Sequence, residues 1–315
     1  MFKWATVALL LFASTSAFAF DFFPVFGPPG QEKSKIQAGY TFQSDQCSSL
    51  VSATTPLSQS MTEVFTVSAL GQSIVLDQPL GLPSSPGGPE NLYNLQFGMT
   101  YAKHSAEKDE RGKFWALNTT FGSASDKPFA DSKNNTIAGT FFYGLPARGK
   151  GSWLFLLNYS NNRTILNNIP IPGFAYTYVP VPTARITFGL PFGLLWWKPS
   201  PKWTLTTFVL APWFYQFGSE YQLNENLKAF SSFGVSQNPF LRDGRSNRRD
   251  QLTYVEKKVL VGLKIPFGNQ FEVQLSGGYA FDRLWYEAKK YSDRTENLSS
   301  LGSGWMGNFA LNCKF

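Results

Sequence analysis

The chain closes on a strand that reads by twos. Trp305, Gly307, Phe309, Leu311, Cys313 and Phe315 share one parity, and Met306, Asn308, Ala310, Asn312 and Lys314, mostly polar or small, share the other. A period of two marks a β-strand with one apolar face. Terminal residues usually fray, so a last strand that stays regular to Phe315 predicts the closing stave of a barrel. In lipid such closure is obligatory, because an open sheet edge leaves backbone N–H and C=O groups without partners.

The other end reads as an export signal. Lys3 supplies the positive region, Trp4 to Phe12 the apolar core, and Ala17-Phe18-Ala19 a small-x-small cleavage site, so the mature chain is predicted to begin at Phe20. The apolar run is too short to span a bilayer. Three segments follow from this: a signal peptide over 1–19, a periplasmic lead-in over 20–34, and a barrel over 35–315. No later stretch offers the ~20 uninterrupted apolar residues of a spanning helix; even Ile186 to Trp197 is broken by Gly189, Pro191 and Gly193.

Mean hydropathy is −0.17 while 17% of residues are aromatic. Strands that alternate lipid-facing and interior residues average to just such ordinary hydropathy, and aromatic girdles enrich Phe, Tyr and Trp. The net charge is +7, but no basic run forms a nucleic-acid stripe. Arg245, Arg248 and Arg249 lie in a Gly/Asn/Asp-rich loop, a solvated position that also faces the lipopolysaccharide surface in an outer-membrane setting.

Period-two faces recur along the chain, as in Ile36/Ala38/Tyr40/Phe42, Trp153/Phe155/Leu157/Tyr159 and Phe271/Val273/Leu275. Short turns at Pro146 to Lys150, Val179 to Pro182, Asn224 to Asn226 and Pro266 to Gln270 alternate with long polar loops. This is the pattern of tight periplasmic turns and long extracellular loops. About thirteen candidate strands can be counted, and the even-number rule for such barrels revises this to about 12, with 10 or 14 as alternatives. The expected fold is an all-β, transmembrane, antiparallel up-and-down barrel. Pro191 and Pro212 interrupt the region from Thr183 to Leu223 and read as bulges, since proline cannot donate to a ladder.

The segment from Pro170 to Pro212 carries Pro-Gly-Phe-Ala-Tyr, Phe-Gly-Leu-Pro-Phe and Trp-Lys-Pro-Ser-Pro-Lys-Trp. In these it resembles a family of Gram-negative outer-membrane β-barrels without established activity, so the resemblance implies fold and address but no functional residue. The period-two end, with Trp305, Phe309, Leu311 and Phe315, separately resembles the signal read by the barrel assembly machinery.

Chemistry is sparse. The single His, His104, precedes Ser105, and neighbours on a strand point to opposite faces, so the two cannot act as base and nucleophile. One His and two distant Cys give no metal-ligand spacing. Neither an enzyme nor a cofactor is expected. Cys47 and Cys313 are read as free thiols roughly 40 Å apart at 3.3 Å per residue, with Cys313 facing lipid.

The face opposite the apolar stripe is more informative. Where Val259, Val261 and Leu263 face lipid, Glu256, Lys258 and Lys264 face the lumen, joined from the next strand by Glu272, Gln274 and Asp282. An odd-numbered loop sets Lys264 opposite Glu272 or Gln274. Such a lumen is either a hydrated channel or a salt-bridge plug. The leading reading is a small-solute channel or permeability protein of the outer membrane, in contact with lipid and lipopolysaccharide. The alternative is a filled structural or adhesive barrel acting through its extracellular loops, and an outer-membrane hydrolase comes third.

Overall fold

The computed structural model describes residues 33–82, 88–105, 113–147, 149–210, 214–245, 247–289, 291–295 and 297–315. The export signal and all but the last two residues of the lead-in fall outside this set, as does Pro212. The described chain is almost entirely strand. The first eight are β1 (Lys35–Gln43), β2 (Gln46–Gln59), β3 (Glu63–Leu76), β4 (Asn91–His104), β5 (Phe114–Ser125), β6 (Asn135–Pro146), β7 (Gly151–Ser160) and β8 (Ile171–Val181). Then come β9 (Ala184–Leu190), β10 (Phe192–Ser200), β11 (Trp203–Leu210), β12 (Phe214–Asn224) and β13 (Leu227–Phe240). The last are β14 (Gln251–Phe267), β15 (Phe271–Ala288), β16 (Leu298–Leu301) and β17 (Gly304–Lys314).

Each strand from β1 to β15 pairs antiparallel with the next, and β17 joins β15 to β1, so the sheet closes. Lys35 stands level with Lys314 and Gln43 with Met306 along the closing seam. The ring of Phe42 lies over Gly307, where a Cβ would collide with it. Sixteen strands form the barrel, and the short β16 is an extra piece on β15 beyond the point where β17 begins. The count of about twelve, with its alternatives of ten and fourteen, is therefore overturned.

The missed strands have physical reasons. β2 turns Cys47, Ser49, Val51 and Ala53 outward, a face too small and polar to read as apolar. Pro191 is not a bulge but the turn of a tight hairpin, with Phe188 opposite Gly193 on either side, so one expected strand is two. The cysteines are free, but their separation was overestimated. The chain reverses after Gln43, so Cys47 stands level with Phe42 and Cys313 with Ile36, only about 20 Å apart along β1. Cys313 has outward parity yet is just 9% exposed between Ile36 and Phe271.

Outward positions form a continuous apolar belt, including Phe97, Met99, Leu157, Phe217, Val261 and Phe309, all exposed. The wall is uneven in height. β14 and β15 run 17 and 18 residues, whereas β9, β10 and β11 run 7, 9 and 8.

Candidate functional site

Buried charged side chains collect in the barrel interior, which two sectors divide, and a further ion pair, Arg242–Glu287, is held at its mouth. On β14, Tyr254, Glu256, Lys258 and Lys264 share the inward parity. The Lys258 ammonium bonds Glu256 Oε1 at 2.5 Å, while Tyr254 and Gln43 donate to Glu256 Oε2 at 3.0 and 3.2 Å. The Tyr254 hydroxyl in turn accepts from Arg283 at 3.1 Å and from Gln46 at 2.9 Å. Arg283 completes the set with both carboxylate oxygens of Asp45. Nearer the chain termini, Lys264 bonds Glu220 Oε2 at 2.6 Å and lies 5.3 Å from the Phe230 ring centroid, and Lys228 reaches Glu220 Oε1 at 3.2 Å.

These groups are enclosed. Lys264 is 1% exposed, Glu256 and Lys258 5% each. Charge buried to that degree is tolerable only when paired and hydrogen-bonded, and here it is. Glu272 is also buried on the inward face, with Oε1 lacking a partner, and Lys264 stands opposite Gln274 across a three-residue turn. This side of the interior is a knit of ion pairs rather than a hydrated charged wall. A small polar cavity remains in it, lined by Thr41, Gln43, Ser48, Gln72 and Asn238 beside Glu256 and Lys258.

Asp282 does not join the group. The ladder slips between Val255 and Lys257, where one residue faces two on β15. Such a bulge inverts parity beyond it. Asp282 sits at φ +48° and turns outward, its carboxylate 2.7 Å from exposed Lys257, and Arg283 takes the inward position instead. Sequence parity hid Arg283, the cation with the most partners in the interior, behind this single extra residue.

From β3 to β12 the inward face mixes apolar side chains with buried polar ones, among them Thr100, Asn118, Thr140 and Thr187, and carries Glu220 at its far edge. Val64, Ala102, Ala116, Phe142, Leu154, Leu156, Ala175, Phe192, Phe208, Leu210 and Phe214 form one packed cluster, with Phe114 and Leu194 against it. Lipid-face reasoning did not find this band, because its members alternate with equally apolar outward neighbours. His104 ends β4 stacked on Phe114 at 5.5 Å, and among the described residues no trio of His, Cys, Asp or Glu is arranged to hold a metal.

The end away from the chain termini is drawn together. Leu80, Leu82, Phe240, Leu252, Tyr254 and Trp285 pack as a second apolar cluster above the charged sector. The Leu241 N–H donates to the Ala124 carbonyl at 2.6 Å, tying β13 to β5 across the mouth. The loop after β7 is held over the apolar sector by Arg163, which donates to Asn158 Oδ1, Leu166 O and Ile169 O, and by Asn162, whose amide donates to Pro239 O at 3.0 Å. Outward on β17 and just beyond it, Trp305, Phe309, Leu311 and Phe315 stand exposed, and the Phe315 N–H bonds Ser34 O at 3.0 Å.

No family model matches the chain, and no curated protein matches it in sequence. Among solved structures it is similar to an outer membrane channel from Pseudomonas putida F1 at 6% identity, covering 92% of this chain and 98% of that one, TM-score 0.39. The monoaromatic hydrocarbon channel CymD is 9% identical over 90% and 89%, TM-score 0.41. The toluene transporter TodX of Pseudomonas putida is 7% identical over 92% and 90%, TM-score 0.37. At this distance neither family nor solute carries over, and the barrel rests on the chain's own strand pairing.

Proposed function

We propose that the protein is an outer-membrane channel for small solutes whose path follows the apolar sector of its interior. The observation that carries this is the inner wall itself. A barrel that served only as an anchor would gain most from a uniformly paired polar filling. Here the charged groups are knit together on one side, while on the other Phe142, Leu156, Phe192 and Phe208 belong to one apolar cluster set among buried Thr and Asn side chains. The exposed apolar belt supports a membrane setting, since exposed apolar surface of this extent is otherwise an interaction site.

The test is uptake into liposomes holding the purified, refolded protein. Benzyl alcohol, small and apolar-bodied, is expected to enter faster than into protein-free vesicles, and widening the sector by Phe192→Ala should raise the rate. A barrel that passes nothing in either form would be a filled anchor. The terminal pattern supports recognition by the assembly machinery. Deleting Phe315 should leave the protein in the periplasm or degraded, and normal heat-modifiable migration at normal yield would refute that role.

A further inference from the structure

We infer that Arg185 gives the apolar sector an anion-selecting charge, and that the solutes it suits are monocarboxylates with an apolar body, such as aromatic acids. The inference rests on the channel reading above and adds the solute class. Arg185 lies on β9 with the inward parity of Thr187, which is buried and bonded to Thr177 at 2.9 Å. Its cross-strand neighbour on β10 is Trp196, followed along the same inward face by Leu194 and Phe192.

What distinguishes Arg185 is its lack of a partner. It makes no hydrogen bond or ion pair among the described residues, although it is partly buried. Arg283 has Asp45, Lys258 has Glu256 and Lys264 has Glu220, so those charges cancel locally. A guanidinium in a low-dielectric wall without a counter-ion is unfavourable by itself, and an arriving carboxylate removes that penalty. Its planar fork matches a carboxylate with two parallel N–H···O bonds. The apolar body of the same solute packs on Trp196, Leu194 and Phe192, which a small inorganic anion cannot do. A neutral solute gains the packing alone.

The experiment compares benzoate with benzyl alcohol, nearly the same shape without the charge, on the full folded protein. Binding is measured by calorimetry in detergent, and flux in liposomes, for wild type, Arg185→Gln and Arg185→Lys. Benzoate affinity should fall about tenfold or more in Arg185→Gln, as loss of a charge-assisted bidentate pair requires. Arg185→Lys, which keeps charge but not the fork, should lie between, and benzyl alcohol should not change. Equal benzoate binding in wild type and folded Arg185→Gln overturns the inference. If Arg185→Gln does not fold, wild type and Arg185→Lys decide: benzoate bound no better than benzyl alcohol, or equally by both proteins, also overturns it. Wild-type vesicles that pass neither solute, with Arg185-dependent benzoate binding intact, would refute the channel and leave the site standing. Flux of benzyl alcohol with no preference for benzoate would do the reverse.

Discussion

The ammonium of Lys264 lies 2.6 Å from Glu220 Oε2 while only 1% exposed, a depth at which neither charge can do without the other. Removing one partner of a buried pair costs about 3–5 kcal/mol, whereas replacing both with apolar groups is often neutral. Lys264→Met should therefore lower stability by about 3 kcal/mol, and Lys264→Met with Glu220→Met should recover most of it, because Lys228 is more exposed and can turn to water. Urea midpoints of folding into vesicles give the comparison; equal losses in both variants would contradict it.

Depth along the apolar belt sets a second expectation. Val261 is 58% exposed midway along β14, and Leu223 is exposed at the last turn of β12. Arginine should cost about 2–4 kcal/mol at Val261 and about 0–1 at Leu223, since the penalty falls from midplane to interface. The same vesicle titration reads both, and equal penalties would place the belt wrongly.

The bulge at Asp282 makes a sharper claim about backbone. At φ +48° a glycine is at ease where an L-residue is strained, and the exposed ion pair with Lys257 is worth little. Asp282→Gly should change stability by no more than about 0.5 kcal/mol. Deleting Asp282 should remove the bulge, pair Arg283 directly with Glu256 across an unbroken ladder, and keep Arg283 inward within reach of Asp45 and Tyr254, so that this variant folds as well. Heat-modifiable gel migration checks both variants, and loss of the folded band in the deletion would contradict the reading of Asp282 as the extra residue.

Acid should loosen the mouth. The Asp243 carboxylate accepts from Lys127 at 3.1 Å, which holds its pKa below the ordinary range, and the Asp243 N–H donates to Asp126 Oδ1 at 2.6 Å. A depressed carboxylate contributes fully above the unfolded value of about 3.9, and its contribution is lost as pH falls through the lower folded value. Hydrogen exchange of the Asp243 and Leu241 amides, corrected for intrinsic rates, should accelerate as pH is lowered below about 4. Asp243→Asn should show fast exchange already at pH 6 and no further acid step.

The closing seam was legible because Ile36, Tyr40 and Phe42 meet Cys313, Phe309 and Gly307 with a strict period of two on both strands. The same rule located Glu256, Lys258, Lys264 and Glu272 on one parity. It failed at Asp282 because one inserted residue reverses every later side chain, and insertion leaves no mark in composition. It also failed around Pro191, where apolar side chains stand on both faces and alternation fades: Phe188 and Leu195 face out, Phe192 and Phe208 face in. A two-sided apolar strand has no phase to read. The very feature that makes this sector a candidate solute path erased its signature.

The difference between a 7-residue β9 and an 18-residue β15 reaches beyond the protein. With strands tilted ~40°, β9 rises only about 18 Å, short of the ~25 Å apolar band of such barrels. The surrounding lipid must thin on that flank and relax on the opposite one, at a fraction of a kcal/mol per ångström. The barrel is thus a wedge in its membrane, with a strained meniscus of lipid along β9 to β11. A second short-walled protein settling against that arc would relieve the strain of both, so the flank that is lowest is also the one where neighbours should gather.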